Sequence, residues 1–393
     1  MVIKSEKVYR AALIGCGSMG SYYMVELKGN VDRRPLPIGH AEVLRANPHT
    51  DLIAGADPDA ARLADFGHRW GVEQLYADHR EMLERERPEI VSVASPPSLH
   101  SQHVLDCVAR GVKGIFCEKP LAPTLREADA MVRACDANGV KLCINHTLRG
   151  DPYHLQAGRL IQEGAIGNLL TITISWAGRL FLTGTHRFDL VNYFVSETPT
   201  AWLIGHAEEP TSQQIAVPTK RGVDVGGTAY VVYQNGVRAF FNGRDGTPIG
   251  RLEICGTDGM IMIDAQEAQL WRRDARANFR DLLRYPFPQM MYFTAPMVYL
   301  LENLVAAIET GREPMSNGRT ARHAVEQILA THDSSQHDNC KVAFPFDKLD
   351  FSPPYRWFGD DGQTVYDAAT IALPSPRQMA NDHPDTVRTS EGE

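Results

Sequence analysis

The sequence lacks the marks of a membrane-spanning, exported or nucleic-acid-binding protein. No run of about 18 apolar residues occurs, which excludes a spanning helix, and the first six residues hold no apolar signal core. The 40 Lys and Arg residues are outnumbered by 48 Asp and Glu residues, so the formal charge is −8 and we expect no broad basic surface for nucleic acid. The seven cysteines form no C-x-x-C pair and are odd in number, which disfavours a disulfide framework or zinc ribbon and favours the reducing cytoplasm.

An ordinary globular composition, with 43% apolar and 22% charged residues over 393 positions, predicts two or three domains. In the first part of the chain, short apolar segments alternate with amphipathic ones. The apolar segments are residues 11–14, 52–56, 90–94, 114–117 and 142–144. Unbroken apolar runs are typical of buried parallel strands, and the 3.6-residue period is typical of helices that cover them. We therefore predict an α/β fold with a doubly wound parallel sheet over residues 1–145.

The pattern changes in the second part, where β-branched segments follow one another without long helices between them. These segments are residues 169–176, 201–206, 228–233, 237–242, 251–255 and 260–263. The dipeptides Asn235-Gly236 and Asp258-Gly259 lie between such segments and favour tight hairpins. We predict an α+β domain over residues 146–372, with a large, mostly antiparallel open sheet, helices at 296–310 and 320–331 packed on it, and a flexible tail over 373–393.

A glycine-rich turn follows the first predicted strand. Gly15, Gly17 and Gly20, with Ser18 and Met19 between the last two, form the pattern G-x-G-x-x-G. The first glycine allows the bend, the second lets a pyrophosphate approach the backbone, and the third lets a helix lie close to the strand. The helix N-terminus offers N–H groups and a partial positive charge to the phosphate. We interpret this turn as a dinucleotide site; the alternative is a purely structural turn.

Asp57 ends the second predicted strand, where an acid binds the adenosine ribose hydroxyls in dinucleotide-binding sheets. A carboxylate there would repel the extra phosphate of NADP, so we predict NAD as the cofactor. The alternative is that Asp57 only caps the following helix. Gly20 and Asp57 are 37 positions apart, whereas about 20 are usual, which indicates an insertion at residues 21–38.

Further motifs match a known family. The matching segments are residues 15–20, 56–58, 95–100, 118–120, 164–167, 184–186, 253–259, 316–319 and 325–326. With them the chain resembles the glucose-fructose oxidoreductase / inositol dehydrogenase (Gfo/Idh/MocA) family over most of its length. The resemblance implies that Lys119 of the E-K-P motif and His186 of the second domain flank the nicotinamide as catalytic residues. Lys119 would hydrogen-bond the reacting hydroxyl, and His186 would be the general base in oxidation.

The resemblance also implies cofactor contacts from the ends of the later strands. These contacts are Ser95, Pro97, His100, Glu118, Lys119 and Asn145. One position departs from the family pattern: the acid expected four residues before the catalytic histidine is replaced by Leu182. Leucine cannot accept a proton, so another group must complete the relay. Asp189, on roughly the same helical face as His186, is one candidate, with a structural hydrogen bond as the alternative.

The substrate site is expected to be rich in arginine. Arg149 matches a family arginine that commonly contacts substrate, and Tyr153, Arg179 and Arg187 lie in neighbouring segments that we assign to substrate binding together with Lys119 and His186. Guanidinium groups bind carboxylates and sulfonates bidentately, which would suit an anionic substrate. The alternative is that Arg179 and Arg187 pair with surface acids.

The sequence offers no metal-ligand spacing. His332 and His337 lie in a polar stretch, where we expect them to be solvated, and we predict no metal.

These observations predict an NAD-dependent oxidoreductase that acts on a secondary hydroxyl of a sugar, polyol or glycoside. The first alternative is an NAD-dependent glycosidase, in which transient oxidation is followed by elimination, water addition and re-reduction without net redox change. A non-catalytic dinucleotide sensor is a further alternative. We expect no nucleic-acid or membrane partner, and the resemblance implies a homo-oligomer, either a dimer or a tetramer.

Overall fold

The computed structural model describes residues 7–22, 37, 39–210, 223–244, 250–264, 267–273, 282–288 and 295–353. The predicted tail 373–393 and most of the predicted insertion 21–38 lie outside these ranges.

Six parallel strands form the first sheet. They are β1 (Tyr9–Ile14), β2 (Thr50–Ala56), β3 (Gln74–Tyr76), β4 (Ile90–Val93), β5 (Gly114–Cys117) and β6 (Lys141–Ile144). The order β3-β2-β1-β4-β5-β6 places the reversal of strand order between β1 and β4, where doubly wound sheets bind their ligands. This confirms the predicted fold of the first part. The prediction lacked β3, which has only three residues, one of them exposed.

Helices cover both faces of this sheet. They are α1 (His40–Ala46), α2 (Ala60–Trp70), α3 (His79–Glu86), α4 (Pro97–Ala109) and α5 (Leu125–Asn138). Local capping fixes where some of them begin. The Asp59 carboxylate accepts hydrogen bonds from the N–H groups of Ala61 and Arg62, and the Thr124 hydroxyl accepts one from Glu127.

Nine strands form the second sheet. They are β7 (Leu169–Trp176), β8 (Thr200–Ala207), β9 (Gly227–Tyr233), β10 (Arg238–Gly243), β11 (Arg251–Gly256), β12 (Gly259–Asp264), β13 (Ala268–Arg273), β14 (Leu282–Tyr285) and β15 (Val342–Ala343). The order is β14-β13-β12-β11-β7-β10-β9-β8-β15, and β7 and β10 are its parallel neighbours. Gly236 turns the β9–β10 hairpin with φ +84°, and Asp258-Gly259 joins β11 to β12. The predicted mostly antiparallel sheet is confirmed, with β13 to β15 added.

The remaining helices divide between the two sheets. They are α6 (Pro152–Gln162), α7 (Thr185–Phe194), α8 (Pro296–Thr310) and α9 (Gly318–Gln336). We expected the helices at 296–310 and 320–331 to pack on the second sheet. This is wrong for α8, whose Leu304 and Ile308 side chains lie close against Gly114 of β5, because its apolar residues complete the core of the first sheet. Helix α9 packs on β8 as predicted, with Thr331 close against Gly205.

One face of the second sheet carries exposed apolar side chains. Leu170 on β7 is 47% exposed, Phe240 on β10 is 43% exposed and Ile204 on β8 is 37% exposed. The Phe240 ring stacks on Tyr230 of β9 with centroids 4.9 Å apart. Within the described ranges, no helix combines the length and the apolar character needed to cross a membrane.

Candidate active site

The glycine-rich turn connects β1 to a π-helical turn at Ser18–Tyr22, which begins with the predicted residues Ser18 and Met19. Gly15 has φ +92°, and a Cβ there would lie 2.8 Å from the backbone of Ala94 at the end of β4. A Cβ on Gly20 would overlap the carbonyl oxygen of Gly15. A Cβ on Gly17 would meet no atom within 4 Å. Gly15 and Gly20 are therefore required by packing, whereas Gly17 borders open space.

Asp57 is buried at the end of β2 and contacts this turn directly. Its Oδ2 accepts a hydrogen bond from Cys16 N at 2.8 Å, and its Oδ1 accepts one from Asp59 N at 2.9 Å. The N-cap of α2 is Asp59, so the Asp57 carboxylate lies before the helix and fixes the glycine turn. Each carboxylate oxygen has two lone pairs, so these bonds do not exhaust its capacity as an acceptor.

Ser95, Pro97 and His100 follow β4 at the same edge of the sheet. The Ser95 hydroxyl lies 2.8 Å from Nδ1 of His103, and Pro97 is the first residue of α4. The fully buried His100 ring lies between the carbonyl oxygens of Ser95 (3.0 Å from Nε2) and Pro120 (2.9 Å from Nδ1). Burial lowers the pKa of His100, and a neutral imidazole has a single N–H to donate. A neutral His100 ring therefore packs between the turns that follow β4 and β5 and can donate to only one of these two carbonyl oxygens.

Glu118, at the end of β5, accepts hydrogen bonds in a buried polar network. Its Oε1 accepts from Asn145 Nδ2 at 2.6 Å and contacts His40 Nε2 at 3.0 Å, while its Oε2 accepts from the backbone N–H of Lys119 at 3.1 Å. The other ring nitrogen of His40 contacts the Ser92 hydroxyl. We did not predict His40, because nothing in the sequence indicates that a histidine beginning α1 faces an acid 78 positions later.

This network leaves the Glu118 carboxyl ionised. Burial alone would raise its pKa, but the contact with His40, the charge of Lys119 and the hydrogen bond from Asn145 lower the pKa to about 2. On the other side of the network, Asn145 Oδ1 is buried and has no hydrogen-bond partner among the described residues. A buried amide oxygen of this kind can accept a hydrogen bond from a bound molecule.

Lys119 reaches the second domain. Its Nζ donates a hydrogen bond to the carbonyl oxygen of Leu182 at 2.7 Å, within the π-helical turn Leu180–Gly184 that leads into α7. The same turn is also bound by Asp224, which precedes β9 and is 3% exposed. Its carboxylate accepts hydrogen bonds from Phe181 N at 3.1 Å and Leu182 N at 2.7 Å. Burial raises the pKa of Asp224 to about 7, although these N–H groups and the charges of Arg179 and Lys119 act against the rise.

His186 lies in the first turn of α7, two residues after the turn that binds Lys119. Its ring packs edge to face on the buried His146 ring, with centroids 5.6 Å apart. We predicted Asp189 as one candidate to orient His186. The structure instead places the Asp189 carboxylate against Arg149 and 3.2 Å from Nδ1 of His146. The alternative that we gave for Asp189, a structural hydrogen bond, fits this position.

Arg149 is 1% exposed, and its five N–H donors are all used within the protein. They bond both carboxylate oxygens and the carbonyl oxygen of Asp189, the Glu197 carboxylate and the carbonyl oxygen of Met315. Burial would raise the pKa of Asp189, but the Arg149 charge lowers it to about 2. This arrangement does not support the expected contact between Arg149 and substrate, and it identifies the residue as the centre of a buried ion cluster.

Arg187 is in the opposite situation. It follows His186 in α7, and within the described part of the chain its Nε is buried without a hydrogen-bond partner. Burial lowers the pKa of Arg187 to about 10, with Asp151 at the start of α6 acting against the shift. Tyr153, in the first turn of α6, is 37% exposed. Arg179 directly precedes the turn that binds Lys119.

His332 is buried, whereas we expected it to be exposed to solvent. It is 5% exposed on α9 and stacks on the Phe181 ring at 5.7 Å, so the expectation that it is solvated is wrong. The polar residues beside it, Thr331, Asp333 and Ser334, are buried as well, because this part of α9 packs against β8 and α7. In the described ranges, no group of three or more His, Cys, Asp or Glu side chains is arranged to hold a metal ion.

The model of the Gfo/Idh/MocA oxidoreductase family, with its NAD-binding Rossmann fold, matches residues 9–146. The D-apiose dehydrogenase of Paraburkholderia graminis is 26% identical over 359 residues, covering 84% of this chain and 88% of that protein. The myo-inositol 2-dehydrogenase of Thermotoga maritima is 26% identical over 311 residues, covering 73% and 89%.

Solved structures of this family share the fold. An oxidoreductase from Agrobacterium radiobacter in complex with NAD⁺, L-tartaric acid and magnesium aligns with a TM-score of 0.69 and 18% identity, over 85% of this chain and 98% of that one. The first domain matches the NAD-binding Rossmann domain of the Gfo/Idh/MocA family model. Its residues fit the cofactor: Gly17 borders open space, Asp57 ends β2, and Asn145 Oδ1 has unused acceptor capacity.

The two glycines predict different consequences of adding a methyl group. We expect Gly20→Ala to lower the melting temperature by roughly 5 °C or more, because the new Cβ overlaps the Gly15 carbonyl. Gly17→Ala should melt like the wild type but bind NAD at least about tenfold more weakly, because its Cβ enters the space left for the pyrophosphate. Circular dichroism and NADH fluorescence titration measure the two effects. An unstable Gly17→Ala variant would favour the purely structural interpretation of the turn.

The position of Arg149 predicts a loss of stability on substitution. Arg149→Met leaves the Asp189 and Glu197 carboxylates without their shared cation and should lower the free energy of unfolding in urea by about 3–5 kcal/mol. The control Arg159→Met removes an exposed pair with Glu163 and should cost less than about 1 kcal/mol. If Arg149→Met instead kept its stability and raised KM for substrate, the residue would be a substrate contact.

Proposed function

We propose that this protein is an NAD-dependent dehydrogenase that oxidises a secondary hydroxyl of a sugar or polyol, or reduces the corresponding ketone. The observation that carries this proposal is the position of Lys119, which ends β5 of the NAD-binding domain and binds the turn that leads into His186. An ammonium and an imidazole from different domains are thereby directed to one edge of the sheet. The relatives named apiose and inositol dehydrogenases support a sugar or polyol as substrate.

Lys119 is proposed to bind the reacting oxygen. An ammonium has three donors, of which the carbonyl oxygen of Leu182 engages one. A hydrogen bond and a positive charge beside the substrate hydroxyl lower the pKa of that hydroxyl and stabilise the developing alkoxide. Glu118 accepts the backbone N–H of Lys119 and so fixes the start of the side chain.

His186 is proposed to take the proton from the hydroxyl. Imidazole changes charge near neutral pH, which suits a group that accepts a proton in oxidation and returns it in reduction. The buried His146 ring packs against it and limits its orientation. Bound NAD⁺ would supply the hydride acceptor for the carbon whose hydroxyl loses its proton, so the alcohol would become the ketone.

Substitution of the two groups tests these roles. We expect Lys119→Met and His186→Gln each to lower kcat by about 10²–10⁴-fold, because general acid–base catalysis contributes that much, while NAD affinity changes little. NADH absorbance measures kcat, and fluorescence titration measures binding. The control Lys113→Met removes an exposed pair with Glu89 at the opposite end of β5 and should retain kcat. If both site variants kept wild-type turnover while NAD bound, the non-catalytic sensor would be favoured.

The NAD-dependent glycosidase stays a prediction of the sequence. Its mechanism returns the hydride to the same carbon, so glycosides would be cleaved without accumulation of NADH, and solvent deuterium would enter the carbon beside the oxidised centre. Net NADH formation from a free sugar supports the dehydrogenase. The names of the relatives cited above favour the dehydrogenase.

The partly buried Arg187 supports an anionic substrate. A desolvated guanidinium whose Nε has no acceptor would gain a charge-assisted hydrogen bond from a carboxylate or sulfonate. We expect Arg187→Gln to raise KM for uronates or sulfonated sugars by about 10-fold or more and to change KM for neutral sugars less than about threefold. Arg159→Gln, on the exposed side of α6, is the control. Equal KM changes for charged and neutral sugars would contradict the anionic class.

Self-association is proposed through the second sheet. The exposed side chains of Leu170, Ile204 and Phe240 lie on neighbouring strands and form an apolar face that a second copy could cover. The dimer or tetramer and the cytoplasmic location both stay predictions.

A further inference from the structure

Leu182 contributes both of its backbone polar groups to the environment of Lys119. Its carbonyl oxygen accepts the bond from Lys119 Nζ at 2.7 Å, and its N–H donates to Asp224 Oδ2 at 2.7 Å. Asp224 also binds Phe181 N, and the neighbouring Val225 carbonyl accepts from Leu180 N at 2.8 Å. The segment before β9 therefore anchors the whole turn on which the ammonium rests.

Asp224 is more deeply buried than an ordinary helix N-cap carboxylate, although it has no ion-pair partner among the described residues. An N-cap carboxylate such as Asp78, which accepts Arg80 N, is exposed to water. Asp224 is 3% exposed, and within the described residues no ion pair neutralises it. Two peptide N–H groups are its direct hydrogen-bond donors. Burying a carboxylate without a nearby cation costs free energy, and a neutral side-chain acceptor could bind the same two N–H groups at a lower cost. A purely structural role therefore does not explain why this position holds an acid.

The cations that act on Asp224 belong to the proposed site. Lys119, after β5, and Arg179, after β7, both lower its pKa, while burial raises the pKa to about 7. Other charged or titratable groups near this segment are His332 of α9, stacked on Phe181, and Glu208, which lies beside Gly226 and pairs with Arg244. Among all the charged groups near Asp224, Lys119 is the one to which we assign a catalytic role.

We propose that Asp224 is a positioning residue for Lys119: it fixes, through the Leu182 peptide, the carbonyl that binds the ammonium, and it places a carboxyl charge beside that ammonium. Leu182 stands where the family pattern has an acid, and Asp224, 42 positions later in the chain, thereby supplies a carboxyl group to the same turn. The effect of Asp224 on turnover rests on the proposed function, whereas its effect on the position and ionisation of the Lys119 amine does not.

The ionisation of Lys119 can be followed in the protein without cofactor or substrate. The chain has nine lysines, so reductive methylation with ¹³C-formaldehyde gives few resonances, and Lys119→Met identifies the relevant one. In the wild type we expect the Lys119 signal to show a second inflection near neutral pH as Asp224 ionises. In Asp224→Asn this inflection should vanish and the amine should titrate about 1 pH unit lower, because an opposite charge has been removed.

Turnover provides the second measurement. Asp224→Asn should lower kcat about 10-fold or more with NAD affinity changed less than about twofold, and it should remove a limb near neutral pH from the kcat profile. The double variant Leu182→Asp/Asp224→Asn returns a carboxyl to the turn and should recover part of the lost kcat. The control Asp78→Asn neutralises a carboxylate that also accepts a backbone N–H, at α3, and should leave both measurements unchanged.

The outcomes separate the two proposals. A Lys119 signal that titrates identically in the wild type and Asp224→Asn overturns the role of Asp224, whatever the activity. A variant that loses stability and kcat with that signal unmoved shows a merely structural residue and also overturns it. If Asp224→Asn does not fold, absence of the second inflection in the wild type decides against the proposal. If no sugar or polyol reduces NAD⁺ with the wild type, the dehydrogenase proposal fails while the titration still decides about Asp224.

Discussion

The hydrogen bond from Lys119 Nζ to the carbonyl oxygen of Leu182 joins the two sheets at the edge where the cofactor-binding turn lies. A bond that involves a charged group contributes about 1.5–3 kcal/mol, enough to fix a flexible lysine side chain against its rotamer entropy. The backbone of Lys119 is held by Glu118, and the carbonyl that it binds is held by Asp224. The position of the ammonium is therefore set from both domains, and a small relative movement of the sheets would change it.

Three buried acids of the candidate site, Glu118, Asp189 and Asp224, differ in their ionisation because they have different partners. Glu118 and Asp189 each have a cation or a ring N–H at contact distance, and both have pKa values of about 2 in spite of full burial. Asp224 has peptide N–H groups as direct partners and more distant cations, so the burial effect dominates and its pKa rises to about 7. Desolvation is common to all three, and the distance of the compensating charge decides the direction of the shift.

The parts of the fold that the sequence predicts are those encoded locally. Apolar runs bounded by turn residues located five strands of the first sheet, and Gly15, Gly17 and Gly20 located the cofactor turn, since both signals lie within a few consecutive residues. Strand β3 and helix α8 show the limit. Strand β3 is too short to display a period. Helix α8 is apolar on a face that packs on β5, where Gly114 lies 190 positions before Leu304, so its pattern predicts burial without specifying the sheet.

The candidate site was predictable to the same extent. Motif and resemblance located Lys119 and His186, but His40, His146 and Asp224 act through contacts with Glu118, His186 and Leu182, which are 78, 40 and 42 positions away in sequence. For Asp224 a weak signal exists, because it stands between Val223 and Val225 ahead of a predicted strand, where an exposed acid would be out of place. Such a signal predicts a buried carboxyl without identifying the group that it serves.

The arginines show how donor counting separates structural from binding roles. Arg149 looked like the best substrate contact because it matches a family position, yet its five donors are all taken by two acids and two carbonyl oxygens. A ligand could bind it only by displacing one of these partners and leaving a buried acid uncompensated. Arg187 looked equally suited to a surface pair, yet its Nε lacks an acceptor and burial weakens its charged form. A guanidinium in that state is stabilised by any anion that enters, so the electrostatics of the site favour Arg187 over Arg149 as the group that distinguishes charged from neutral substrates.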